Sequence, residues 1–181
     1  MADFEKWLTG PMDETRVPVR KLIREAGYRS ILDVGCGLCA EHDGFKAEKY
    51  DIDYVGLDLC AELVFHANAR NVKVHGGSIE NAAFPDKQFD VVHCRGVLEH
   101  LEDFRKAMGQ MVRLASKEVM VSWFIPPGPT EKKSRSEKNG VVLWHNRFNR
   151  GDVEAWMMAQ GLTWSWVPLP RKFELLRITV A

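Results

Sequence analysis

Hydrophobic positions along the chain fall into short β-type runs separated by stretches with helical spacing. Apolar, β-branched-rich runs over residues 30–34, 54–58, 72–75, 89–94 and 118–124, bounded by Gly, Asp or Asn, predict five strands. Between them, 61–69 and 104–115 carry amphipathic helical spacing, the second through Phe104, Met108, Met111, Val112 and Ala115. Ahead of the first strand, Asp13-Glu14-Thr15 and Pro18 read as a helix start; Val19, Leu22, Ile23 and Ala26 share one face before Gly27 stops it. Strands alternating with helices imply βαβ units. Parallel strands that are apolar along their whole length need helices on both faces. The expected architecture is therefore α/β, a Rossmann-like doubly wound sheet with its ligand site at the carboxyl ends of the strands.

After Phe124 the pattern changes. Residues 125–140 hold three prolines, two glycines and two serines among mixed charges, which predicts a long loop of the kind that serves as a lid. A helix is expected over 150–160, ending at Gly161, and two last strands over 162–167 and 173–180 form a hairpin around Pro168 and Pro170. The chain thus reads as one domain over 1–181: an N-terminal helical segment (1–29), a cofactor half (30–125), a lid-like loop (126–149), and a C-terminal helix and hairpin (150–181).

Composition narrows the class. With 181 residues, 45% apolar and 28% charged, the chain is that of a globular protein able to bury roughly 70% of its unfolded surface, and it is not disordered, collagenous or coiled-coil. Lys plus Arg and Asp plus Glu both number 25, which argues against a domain built to neutralise nucleic-acid phosphates or anionic lipid. Met1 to Lys6 has no apolar signal core, and the greasiest stretch, 119–125, is interrupted by Ser122 and too short to span a bilayer. A cytoplasmic location without membrane association is expected; oligomeric state is not legible.

The chemistry concentrates at Ile31-Leu32-Asp33-Val34-Gly35-Cys36-Gly37-Leu38-Cys39-Ala40-Glu41, an apolar strand running into a Gly-x-Gly turn where only glycine lets the backbone turn tightly and approach a ligand. Gly35-x-Gly37-x-x-Ala40 also satisfies a dinucleotide fingerprint, so the glycines alone leave the cofactor open. Asp33, Glu41 and Asp43 would repel a pyrophosphate and attract a cofactor bearing an ammonium and a sulfonium. Asp58 ends the second strand 21 residues after Gly37, placed to accept hydrogen bonds from both hydroxyls of a ribose.

These segments together resemble class I S-adenosylmethionine-dependent methyltransferases, specifically the small-molecule type related to the ubiquinone-biosynthesis C-methyltransferases. The glycine-rich first motif is Ile31 to Gly37, the ribose acid is Asp58, and Phe84-Pro85-Asp86-Lys87-Gln88-Phe89-Asp90-Val91-Val92 resembles the approach to the fourth strand. Cys94-Arg95-Gly96-Val97-Leu98-Glu99-His100-Leu101 resembles the segment that faces cofactor and acceptor. Coverage is roughly 30–125, with a weaker echo at 145–161. The resemblance implies a seven-stranded sheet, mostly parallel, with one antiparallel strand from the C-terminal hairpin. It implies S-adenosylmethionine as cofactor and S-adenosylhomocysteine as product, held by Asp33, Gly35, Cys36, Gly37, Asp58, Leu59, Ser78, Ile79, Cys94 and Arg95. Two positions depart from the pattern: Cys39 replaces the third glycine, and Ser78 stands where an acid or amide often reads the adenine amino group.

The implied reaction is in-line attack by a small-molecule acceptor on the sulfonium methyl, for which the protein supplies alignment and, for a protonated acceptor, a base. His100, just after the fourth strand, is the first candidate base, with a backbone-bonded helical turn as the competing role; His145 is the second. Trp123, His145, Asn146 and Arg147 are the candidate acceptor contacts, against packing roles for Trp123, Phe124 and Trp144. Trp7 and Arg16 either close over the pocket or pack outside the sheet. Cys36, Cys39, Cys60 and Cys94 fall near strand ends, yet the glycine motif accounts for Cys36 without a metal and no metal site is assigned. Lys132, Lys133, Arg135 and Lys138, offset by Glu131 and Glu137, give a solvated loop or an anionic-acceptor site. The alternatives are a non-catalytic S-adenosylmethionine-binding accessory module, a nucleotide or RNA methyltransferase, and a dinucleotide oxidoreductase.

Overall fold

The computed structural model describes residues 13–138 and 141–180. Its element order is α1 (Asp13–Glu25), β1 (Ser30–Val34), α2 (Ala40–Ala47), β2 (Asp53–Asp58), α3 (Ala61–Ala69), β3 (Val74–Gly76), β4 (Phe89–Arg95), α4 (Arg105–Leu114) and β5 (Ala115–Ser122). A hairpin follows, β6 (Arg135–Lys138) and β7 (Val141–Trp144), and then α5 (Arg150–Ala159), β8 (Thr163–Pro168) and β9 (Glu174–Thr179). Short 3-10 turns lie at Ile79–Asn81, Leu98–His100 and Pro170–Lys172.

Seven strands form one sheet in the order β3-β2-β1-β4-β5-β9-β8. β1 pairs in parallel with both β2 and β4, β2 with β3, and β4 with β5, whereas β9 is antiparallel to β5 and β8. β9 is thus the one strand of this sheet that runs against the others, as the C-terminal hairpin predicts. The order reverses between β1 and β4, which makes their carboxyl ends the topological switch point where ligands bind in open α/β sheets.

Successive strand residues feed opposite faces. Ile31, Val91, Met120 and Leu175 join the core under α1, α2 and α3, with Val19, Ile23, Phe45 and Ala67. Their neighbours Leu32, Val92, Val119 and Leu176 join the core under α4 and α5, with Met108, Met111, Leu114, Val153 and Met157. This two-sided burial is why the strands read as unbroken apolar runs rather than alternating ones.

Local signals set the boundaries. Gly27 takes φ +70° and closes α1, with Tyr28 N–H bonding to the Ile23 carbonyl at 3.2 Å. Asn149 caps α5 by accepting from Asp152 N–H at 3.3 Å. α4 passes into β5 without a loop, so β5 starts three residues earlier than the sequence pattern suggests. The segment 126–149, expected as loop, instead contains the β6–β7 hairpin, with Arg135 opposite Trp144 and Lys138 opposite Val141. Among the described residues no helix is long and apolar enough to cross a membrane.

Candidate active site

A cavity of about 1130 Å³ opens at the switch point, at the upper end of the few hundred to 1,000 Å³ of ligand pockets. Its wall is supplied by the ends of β1, β2, β4 and β5, by α1, and by the hairpin. Arg16, Gly35, Cys36, Gly37, Asp58, Leu59, Ser78, Ile79, Arg95 and His100 all line it, as do Phe124, Val142 and Leu143.

Two glycines make this geometry possible. Gly35 sits at φ +67° at the end of β1, and a Cβ there would collide with the Val97 side chain. Gly96, at φ +65° after β4, lets the Phe124 ring lie directly on the backbone, where a Cβ would overlap the ring. The turns after β1, β4 and β5 therefore pack closer than any side-chain-bearing residue would allow.

Asp58 is fixed from both sides. One carboxylate oxygen accepts from Gly37 N–H at 2.8 Å and the other from Cys60 N–H at 2.9 Å. A carboxylate has about four acceptor positions, so two remain for a pair of hydroxyls. Ser78 caps the turn after β3, accepting from Glu80 N–H at 3.2 Å, and brings Ile79 against the cavity. Gly37 has open space where a Cβ would stand, so a ligand meets bare backbone there. This cradle of glycine turn, fixed carboxylate and apolar shelf fits an adenosyl group.

The three acids proposed to select the cofactor by charge are all answered by partners. Asp33 is buried beneath the turn and off the cavity wall, accepting from Tyr54 Oη at 2.8 Å and paired with His93 Nδ1 at 2.9 Å. Burial and Asp33 together push the Tyr54 hydroxyl well above its usual range. Glu41 is 1% exposed and bonded to Arg16 at 2.6 Å and Arg20 at 3.0 Å. Asp43 lines the cavity but is bidentate with Arg70 at 2.6 and 2.7 Å; burial raises its pKa and the guanidinium more than offsets this. Repulsion of a pyrophosphate by these three groups is therefore not what selects the ligand.

Other expected residues also lie elsewhere. Cys94 is fully buried in the core with its thiol pKa pushed up by that burial, and does not reach the cavity. Trp123 is 2% exposed and stacks near Trp166 at 5.6 Å, a packing role. Asn146 is buried and donates to the Leu101 carbonyl at 2.7 Å, and Arg147 packs against Gly128; neither lines the cavity. His145 is also off the wall, its ring 5.6 Å from that of His100 and its Nε2 3.2 Å from Ser136 Oγ. Arg16 takes the pocket position rather than the external one, whereas Trp7 lies outside the described residues. Of the cysteines, Cys36 and Cys60 line the cavity, and no group of three or more His, Cys, Asp or Glu side chains at metal-holding spacing occurs among the described residues.

His100 is tied down through Nδ1, which lies 2.8 Å from the Trp144 carbonyl. A carbonyl only accepts, so Nδ1 carries a proton, and in the neutral imidazole the lone pair then sits on Nε2. The neighbouring Glu99 is wholly buried, accepting from Phe124 N–H at 2.7 Å, and its own carbonyl accepts from Asn146 N–H at 2.8 Å. Burial raises the Glu99 pKa. Glu99, His100 and Asn146 together knot the turn after β4 to the end of β5 and the root of the hairpin. Sequence reasoning missed Val97, Leu101, Val142 and Leu143 as wall residues; the first two belong to a motif already in view, and the apolar pair in a polar loop was the signal for the others.

Comparison with known proteins agrees with this fold. A methyltransferase-domain family model matches residues 32–121. Among curated proteins, the chain is 27% identical over 157 residues to phosphoethanolamine N-methyltransferase 1 of Zea mays, covering 82% of this chain and 30% of that enzyme. It is 29% identical over 109 residues to the uncharacterized methyltransferase YcgJ of Bacillus subtilis, covering 55% and 42%. The chain thus spans less than half the length of either. Among solved structures, the sugar N-methyltransferase KedS8 from a Streptoalloteichus species superposes with a TM-score of 0.76 at 19% identity, covering 99% and 92% of the two chains. CalS10, an amino pentose methyltransferase from Micromonospora echinaspora, solved with S-adenosylmethionine bound, gives 0.75 at 20%, covering 99% and 95%. Residues 32–121 thus carry a methyltransferase domain, and the chain shares the fold of S-adenosylmethionine-dependent methyltransferases.

Proposed function

We propose that this protein transfers the methyl group of S-adenosylmethionine to a small-molecule acceptor in the cavity, with His100 as general base. The observation that carries the reading is the bond from His100 Nδ1 to the Trp144 carbonyl, which puts the lone pair of the neutral imidazole on Nε2 of a residue of the cavity wall. Asp58 would accept from the ribose hydroxyls, Ile79 would pack on the adenine, and the Gly35–Gly37 turn would admit the cofactor close to backbone. The cofactor supplies an already activated methyl. The chain supplies alignment, worth an effective molarity of about 10⁵ to 10⁸ M, and removal of the acceptor proton.

In the displacement, the acceptor lone pair forms the new bond to the methyl carbon, the carbon–sulfur bond breaks onto sulfur, and the acceptor proton passes to His100 Nε2. His145, beside His100 but off the wall, is assigned no direct role. His100→Ala is expected to lower kcat by about 10² to 10⁴ while leaving S-adenosylhomocysteine affinity unchanged. Single-turnover rates measured alongside calorimetric binding check this, and a wild-type rate in the variant would return His100 to a purely structural role.

A further inference from the structure

Resting on that reading of the cavity, we infer that the acceptor is an apolar ring compound rather than a phosphorylated one, and that Val142 and Leu143 of the hairpin select it. The wall after β4 and β5 is built from Val97, Leu101 and Phe124 around His100, and the hairpin closes it with Val142 and Leu143. Val142 and Leu143, at successive positions of β7, reach this lining and remain 43% and 40% exposed. Apolar side chains left wet around a cavity gain free energy only when an apolar guest covers them. Phe124, held against Gly96 with Arg95 over its ring at 5.0 Å, adds a further apolar residue to the lining.

The charges point the same way. Three guanidinium groups reach the wall among the described residues, and each is engaged: Arg16 with Glu41, Arg70 with both oxygens of Asp43, and Arg95 with Thr15 Oγ1 and the Phe124 ring. A phosphate would have to break one of these arrangements, because a dianion enters a partly buried site only against a cation able to turn to it. An apolar acceptor with a single ionisable hydroxyl or amine needs only the lone pair of His100. This sets the chain apart from the phosphoethanolamine-named relative it matches, whose acceptor by that name carries a phosphate.

The test uses the 181-residue protein saturated with S-adenosylhomocysteine, titrated with a 4-alkylphenol series from methyl to butyl and, separately, with phosphoethanolamine. Affinity is expected to rise about fourfold per added methylene. Val142→Ser and Leu143→Ser should flatten that slope while S-adenosylhomocysteine affinity and thermal midpoint stay at wild-type values. An affinity independent of chain length, no detectable phenol binding at millimolar concentration, or tighter binding of phosphoethanolamine than of any phenol would each overturn the inference. Loss of S-adenosylhomocysteine binding in the wild-type protein would instead overturn the methyltransferase reading beneath it, so the two failures are distinguishable.

Discussion

At His100 one backbone carbonyl decides which nitrogen keeps its lone pair, and that carbonyl belongs to Trp144, 44 residues away in the hairpin. The pairing explains why His100 stood in the sequence as a candidate and not an assignment: its tautomer depends on a segment that read as loop. Asp58 was more legible, because its role needs only a strand end and a spacing of 21 residues from Gly37, whose N–H it accepts. The charges of Asp33 and Glu41 were misread for the opposite reason. Their partners Tyr54, His93, Arg16 and Arg20 are distant in sequence, and nothing local announces them. Glu99 carries a prediction of its own. Burial raises its pKa, so as pH rises the unfolded chain ionises first and the folded state loses stability until its own raised pKa is passed. Glu99→Gln keeps an oxygen for Phe124 N–H and removes that titration. The thermal midpoint of the variant relative to wild type should climb as pH rises from about 4, then level off; a pH-independent difference would show that the carboxyl is not what burial penalises.

Among the elements, those whose burial is two-sided were the most legible. β1 matches its expected span residue for residue because its run is apolar throughout, whereas α3, with Ala67 as its buried residue, matches through helical spacing alone. β3 is displaced to Val74–Gly76, since Val72 instead turns its N–H to the Ala67 carbonyl at the end of α3. The β6–β7 hairpin escaped notice because Arg135-Ser136-Glu137-Lys138 lacks any apolar alternation and follows three prolines. α4 shows what a legible face is worth. Ala107, Met108, Met111 and Leu114 are all fully buried against the sheet. Met111→Ala should lower the unfolding free energy by about 2 to 5 kcal/mol, read from denaturant titration with m unchanged. A loss below about 1 kcal/mol would mean that α4 repacks and is not a fixed wall under β4 and β5.

Over the whole molecule, the sheet order explains why the site is where it is. The reversal between β1 and β4 brings the turns after both strands to one edge, and the hairpin inserted after β5 reaches over that edge with Val142 and Leu143. On the proposed assignment the cofactor meets Gly35, Gly37, Asp58 and Ile79 while the acceptor meets His100 and the hairpin, so the two affinities should be separable by mutation. The central claim is that this cavity takes an adenosyl ligand through Asp58. Calorimetric titration of the protein and its Asp58→Ala variant with S-adenosylmethionine, S-adenosylhomocysteine and NADH tests it most directly. Micromolar binding of both adenosyl ligands, none of NADH, and a loss of about 5- to 150-fold in the variant, equivalent to about 1 to 3 kcal/mol, are predicted. Equal affinity in the variant, or binding of NADH in place of the adenosyl ligands, would contradict the account.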